Sequence, residues 1–432
     1  MVFTILNPSQ QSVYDSVLSL IESSNPQWIR ITGSAGTGKT FLIRTLVSEL
    51  IDRHKSVRIT GLTNKATSLL VSDYDSHLVS VSTIHKLLSI KQSIDYNTGE
   101  IEFKTTLTKY DDPFKYIDVL IIDEASMMNT YIFDLLDQYL QNTSRHTTCI
   151  LVGDPKQLPP VNEPNSIAFE FELDPKYDFH LTEIVRQAKD NPIIALSNNL
   201  SLCNTNQSDY TDTSGYVFTN NFESIISKLV ESNGSDKCKY LAWTNDAVNK
   251  MNQIVRRRIY DHPDLLNLGE TIVVDSPYTY NDHNLFTNQE LKVNDLELDT
   301  ITKAVTICQR PIVEFKDQTP GTITLHVYRI NGDILAVHED SFKDFRAFTK
   351  NLKAKAISKE LPWESYYRFF EPFLRFKYNH ALTVHKSQGS TYETTIVNYN
   401  DLCRNRNRNE FQKLLYTAVT RSSERLIIYK HH

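Results

Sequence analysis

Residues 33–40 read GSAGTGKT, a complete match to G-x-x-x-x-G-K-[ST]. The preceding residues, QWIRIT, predict a buried strand, and the following FLIRTLVSELI predicts an amphipathic helix. A glycine-rich loop between a strand and a helix N-terminus points backbone N–H groups at an anion, and the helix dipole adds to the attraction. Gly33, Ser34, Ala35, Gly36, Thr37 and Gly38 form that cradle. Lys39 can reach the β- and γ-phosphates, and the Thr40 hydroxyl can bind Mg²⁺. The loop therefore predicts a nucleoside triphosphate site without saying what the energy is used for.

A chain of 432 residues, 40% hydrophobic and 23% charged, has room for two or three ordinary globular domains. Its net charge of −6 gives no global attraction to nucleic acid, so any such site must be a local basic track. The five cysteines, at 149, 203, 238, 308 and 403, include no C-x-x-C pair. That spacing suggests neither zinc nor a disulfide framework and fits a reducing cytoplasm. The N-terminus MVFTILNPSQQ has no basic region followed by an apolar one, and no apolar run nears the roughly 20 residues that span a bilayer. No membrane association is expected.

Short runs rich in Ile, Val and Leu predict core strands at 28–33, 56–63, 116–123 and 147–153, then at 239–244, 393–399 and 424–430. Near-continuous apolar strands alternating with helices imply parallel sheets covered on both faces, in two α/β domains. The stretch 256–376 reads as short antiparallel strands, with Asn331–Gly332 as a hairpin turn, and suggests a small barrel inserted into the second domain. It ends in an aromatic cluster, Trp363, Tyr366, Tyr367, Phe369, Phe370 and Phe373, which either packs the insertion against its neighbours or faces nucleic acid. Residues 90–108 alternate on both sides of Asn-Thr-Gly and predict a projecting hairpin. RNRNRN at 404–409 is a solvated loop or a phosphate-binding strip.

Asp123–Glu124 follows four apolar residues. A carboxylate at a strand end beside the phosphate loop can hold Mg²⁺, and Glu124 can polarise the attacking water. The next strand ends in GDPKQLPPV, which brings Gln157 within reach of the γ-phosphate. Arg186 and Arg421 are candidate arginine fingers, since a guanidinium stabilises charge on a transferring phosphoryl group. Gln10 precedes a helix near the phosphate loop, and its amide can read adenine.

Taken together, Gln10, GSAGTGKT, LTNKAT (62–67), STIHKLL (82–88), IIDEAS, GDPKQLPPV, LTEIVRQ, LTVHKSQGSTYE (382–393) and LLYTAVTRSSER (414–425) resemble the motif set of a superfamily 1 helicase. TIHKLL, GDPKQLPP and HKSQGSTY resemble its RecD-like, 5′→3′ branch. The resemblance implies two RecA-like domains with parallel sheets and ATP with Mg²⁺ between them. They comprise 1–178, and 179–255 with 377–432. The hairpin at 90–108 becomes a strand-separating pin, and 256–376 an SH3-like β-barrel insertion. Lys39, Glu124, Gln157, Arg186 and Arg421 would serve hydrolysis, Thr40 and Asp123 would hold the metal, and Gly389 would join the nucleotide site. Residues facing the single strand would be Thr63, Asn64, Thr83, His85, Trp243, Asn245, Thr383, His385, Lys386 and Ser387. Hydroxyls, amides and a lysine suit phosphates, and Trp243 and His85 offer stacking faces; for His85 a structural hydrogen bond is the other reading. Where the family commonly has Pro-Thr-His this chain has Leu62-Thr63-Asn64, which keeps a hydrogen bond and loses an aromatic face.

The implied protein is a cytoplasmic monomer, in the host cytoplasm if phage-encoded. It would act on single-stranded and forked DNA in phage-type replication or recombination, beside a phage single-strand-binding or replication protein. Two other readings stay open on the residues alone: a nucleotide-gated DNA-loading protein without processive movement, and an RNA-remodelling ATPase of the same superfamily.

Overall fold

The computed structural model describes residues 6–23, 26–62, 77–95, 98–108, 110–185, 191–200, 215–235, 237–263, 265–304, 306–307, 310–311 and 322–430. Six parallel strands form the first sheet, in the order Val79–Thr83, Val57–Gly61, Val119–Asp123, Thr148–Gly153, Trp28–Gly33 and Asp178–Leu181. The four inner strands are the apolar runs expected from the sequence. Helices cover both faces, as a parallel sheet requires. On one face Leu42, Ile43, Leu46, Val47 and Leu50 of the helix Lys39–Asp52 pack on Ile29, Ile31 and Ile121. On the other, Ile132, Leu135, Leu136 and Leu140 of the helix Thr130–Asn142 pack on Leu120, Ile122 and Leu151.

The second sheet has five parallel strands, in the order Ala381–Thr383, Cys238–Ala242, Tyr392–Asn398, Ser422–Tyr429 and Tyr216–Thr219. Its faces are buried by separate apolar clusters, one around Leu241, Val397 and Leu415 and one around Tyr240, Ile396 and Ile427. The fold is thus two RecA-like α/β domains. No helix among the described residues is long and apolar enough to cross a membrane.

Between Cys238–Ala242 and Ala381–Thr383 the chain makes the antiparallel strands expected of the insertion. Leu296–Ala304 pairs along its whole length with Thr322–Ile330, which turns at Asn331 and Gly332 into Ile334–Val337. Three residues, 331–333, lie between the paired Ile330 and Ile334, and Asn331 and Gly332 take φ of 50° and 102°, the positive angles that asparagine and glycine adopt most readily. Among the described residues the insertion forms four separate sheets of two or three strands, and not one continuous barrel ladder. Thr271–Val274, for example, is only four residues long and lies between Glu290–Lys292 and Phe376–Tyr378. The aromatic cluster packs with itself and with Phe345 and Phe348 of the helix Phe342–Ile357.

Residue 256 lies inside the helix Asn245–Ile259, and its side chain fastens that helix to the insertion. The fully buried Arg256 guanidinium donates to Glu270 Oε1 at 2.6 Å and Oε2 at 3.0 Å, and to the carbonyls of Pro263 and Leu265. It lies 3.5 Å from the centre of the Tyr378 ring. Burial pushes the Glu270 carboxyl above its ordinary value, and Arg256 works against that push. Removing one member of such a pair leaves an uncompensated buried charge. Arg256→Met should therefore cost about 3–5 kcal/mol in urea unfolding. The double variant Arg256→Met, Glu270→Leu should recover most of it.

Candidate nucleotide and single-strand site

Parallel pairing brings the phosphate loop, Asp123–Glu124 and the 153–161 loop to one rim, because their parent strands are neighbours and end together. Gly38 caps the helix Lys39–Asp52 at φ 76°. A Cβ there would also stand 2.3 Å from Gln10 Nε2 and 2.7 Å from Val185 Cγ2, so only glycine fits. Gln10 is buried, and its amide donates to Thr37 O at 3.0 Å and Gly38 O at 3.4 Å. It thus holds the loop. Lys39 Nζ donates to Gly33 O at 2.6 Å and Ser34 O at 3.1 Å, at the mouth of the cradle.

Asp123 closes its strand beside the loop. Burial, and next the Glu124 charge, push its carboxyl up to about 6, while Lys39 pulls the other way. A divalent cation would favour the anion there, and carboxylate and Thr40 hydroxyl oxygens are the hard donors magnesium takes. Glu124 sits at φ 54°, a left-handed conformation rare for this residue type. Gln157 is buried at 6% exposure, with no partner for Oε1 among the described residues. It lines a cavity of about 240 Å³, with Ser126, Phe169 and, from the second domain, Lys413.

The second domain meets this rim with the helix Arg408–Val419. Tyr416 Oη accepts from Ala35 N at 2.8 Å and donates to Asp154 Oδ2 at 2.5 Å. Leu158 N donates to Thr417 Oγ1 at 3.2 Å, and Leu158 O accepts from Gln388 Nε2 at 2.9 Å. The Leu158 side chain is buried in the second domain's core, with Leu196, Leu241 and Val384. Sequence reasoning missed Tyr416, Leu158 and Gln388, although all three lie inside quoted motifs.

Two of the expected site residues are bonded within their own domain in this structure. Arg421 does not reach across the cleft here. Its guanidinium is buried on its own domain, donating to Thr417 O, Ser390 O and Thr420 Oγ1. Three nearby carbonyl and hydroxyl acceptors satisfy it there. Ser387 is fully buried, and its hydroxyl donates to Val384 O at 2.8 Å, so it offers nothing to a surface strand. Gly389 follows in the same loop at φ 71°. Arg186, Thr63 and Asn64 lie outside the described residues.

The remaining single-strand candidates lie at or just after strand ends near one outer edge of each sheet. Thr83 ends the edge strand Val79–Thr83 and caps His85's short helix by accepting from Lys86 N. Thr383 ends the edge strand Ala381–Thr383, and Trp243 follows the strand beside it. Burial lowers His85, and it also lowers His385 against the weaker pull of Glu410, which favours the neutral ring at both. Asn245 is exposed. Lys386 Nζ is paired with Asp275 at 2.7 Å, and Lys377 shares that carboxylate at 3.2 Å. Burial opposes it, but the two lysines hold Asp275 below its ordinary value.

The hairpin at 90–108 is present as Ile90–Ile94 paired with Ile101–Thr105. Its tip docks on the insertion. Tyr367 Oη donates to Gly99 O at 2.6 Å, and a Cβ at Gly99 would meet the Trp363 ring at 2.3 Å.

Residues 19–163 match the family described as AAA domain, and residues 378–429 match the UvrD-like helicase C-terminal domain. The ATP-dependent DNA helicase dda of Enterobacteria phage T4 is 26% identical, over 98% of each chain. An uncharacterized protein of Acanthamoeba polyphaga mimivirus is 27% identical, over 98% of this chain and 99% of its own. RecD of the RecBCD enzyme of Buchnera aphidicola is 23% identical, over 93% of this chain and 70% of its own. The Pif1 helicase of Candida albicans shares the fold at a TM-score of 0.50 and 18% identity, covering all of this chain and 95% of its own. With one motif set along the chain and two RecA-like domains meeting over the phosphate loop, this chain resembles the superfamily 1 helicases Dda and RecD.

Proposed function

We propose that this chain is an ATP-driven DNA helicase that moves 5′→3′ along single-stranded DNA and parts the duplex at its pin. The observation that carries the reading is the shared rim. The phosphate loop, Asp123–Glu124 and Gln157 stand on adjacent strand ends, directly under the second domain's helix Arg408–Val419. A triphosphate held there is touched by both domains. Lys39 and the loop amides bind and orient the phosphates, and Glu124 takes a proton from the attacking water. Thr40 and Asp123 would hold a magnesium ion, which supplies charge to the phosphate oxygens when bound. Swinging the Arg421 guanidinium from its own-domain acceptors to the phosphate would close the cleft. The relative movement of the two domains then shifts the edge-strand residues Thr83, Trp243 and Thr383 along the strand.

Polarity, action as a monomer, and a setting in phage-type replication with a single-strand-binding partner belong to the same proposal. The likeness to a helicase of phage T4 supports the phage setting. The pin's docking on Trp363 and Tyr367 supports a rigid wedge, since a lone two-stranded hairpin is marginally stable.

Unwinding of a forked duplex bearing only a 5′ or only a 3′ single-stranded tail tests activity and direction together; unwinding from the 3′ tail alone overturns the polarity. Lys39→Ala should abolish DNA-stimulated ATP hydrolysis, and near-normal turnover would remove the phosphate loop from the mechanism. Arg421→Ala should bind ATP while losing about 10³-fold or more in turnover. Gly99→Val should keep single-strand-stimulated ATPase near wild type and lower duplex unwinding, because the added side chain unseats the pin tip from Trp363. A parallel loss of both activities would make the hairpin a folding element.

A further inference from the structure

Tyr416 belongs to the second domain, but both hydrogen bonds of its hydroxyl end in the first. One goes to the phosphate loop at Ala35 and the other to Asp154. Asp154 is fully buried. Its second oxygen accepts from Lys156 N at 3.0 Å, and its carbonyl accepts from Gln157 N at 3.1 Å. The Asp154 carboxylate therefore shapes the turn that aims Gln157. Arg421 is tied to the same helix, since its Nε donates to the carbonyl of Thr417, the residue after Tyr416. Burial, followed by the charge and hydrogen bond of Asp154, holds the Tyr416 phenol well above its ordinary value, so it remains a donor at any working pH.

Resting on the reading of this cleft as an ATPase, we propose that Tyr416 is a positioning residue for γ-phosphate cleavage. Its hydroxyl fixes Gln157 through Asp154 and holds the helix that delivers Arg421 at a set distance from the phosphate loop. A phenol suits the task. It has few rotatable bonds, and a buried hydrogen bond to a carboxylate is among the stronger ones. Without the hydroxyl, Ala35 N–H and one Asp154 oxygen each lose the partner they have here. The phosphate loop itself stays intact, so binding of the triphosphate is spared while the groups that act on it are misaligned. The phenol then governs turnover and not affinity.

Tyr416→Phe keeps the ring and removes the hydroxyl. DNA-stimulated kcat should fall about tenfold, the worth of one such hydrogen bond in the transition state. The dissociation constant for a non-hydrolysable ATP analogue should stay near the wild-type value. Asp154→Asn should show the same split, because its one carbonyl oxygen cannot serve both Lys156 N–H and Tyr416. The double variant should be no slower than the slower single one, since both remove one linkage. Wild-type kcat in Tyr416→Phe, matched losses of turnover and analogue affinity, or losses that multiply in the double variant would each overturn the proposal. Glu124→Gln is the control for the underlying reading. If it hydrolyses ATP as fast as wild type, the assignment of hydrolysis to this cleft through Glu124 fails and Tyr416 falls with it; if it is inactive, a normal Tyr416→Phe refutes the phenol alone.

Discussion

Thr32 pairs with Gly153, Ile122 with Leu151, and Gly61 with both Asp123 and Thr83. This register brings five strands to a common end, and all the first domain's chemistry hangs from that end. A slip of one residue in a strand would move each side chain to the opposite face and out of the cluster it packs in, so the two distinct apolar faces hold the register. The phosphate loop and the acid pair consequently need no contacts of their own to find each other. Their strands need only pair, and the loops that follow meet at one rim.

The sequence reading found every interior strand of both sheets and none of the edge strands. Val79–Thr83, Asp178–Leu181, Ala381–Thr383 and Tyr216–Thr219 are the outer members of the two sheets. An edge strand needs burial on fewer sides, so VSVST or DFHL carries no continuous apolar run to read. The hairpin and the Asn331–Gly332 turn were legible because positive φ and alternation leave a local signature. The aromatic run around Trp363 left two meanings open. Its packing on Phe345 and the 90–108 hairpin decides for the first, and that depends on contacts more than 260 residues apart, such as Tyr367 with Gly99.

The site was legible in its loops and less so in its side-chain partners. GSAGTGKT declares the backbone that binds phosphate, since glycine positions follow from φ and close approach. A cation declares nothing about its partner. Lys386 is bonded to Asp275 of the insertion, Arg421 to carbonyls of its own domain, and Arg256 to Glu270. In each case a charged group near apolar surface has taken the acceptor that folding placed closest, because leaving it unpaired costs more than any one pairing returns. Ser387 follows the same logic with a neutral group.

The 153–161 loop bears on both domains at once. Asp154 is bonded to Tyr416, Gln157 lines the cleft, and Leu158 is plugged into the second domain's core between bonds from Thr417 and Gln388. Withdrawing Leu158 would expose about 2 kcal/mol of apolar side chain and break two hydrogen bonds of about 1 kcal/mol each. A shift of Gln157 by an ångström or so costs far less if the second domain travels with it. Gln388 lies one residue from Ser387 and two from Lys386, at the loop that leads from Thr383. The loop that borders the candidate nucleotide site is therefore clamped, through a short chain of buried contacts, to the strand end proposed for the single strand. A nucleotide-driven movement of this loop must move that strand end as well.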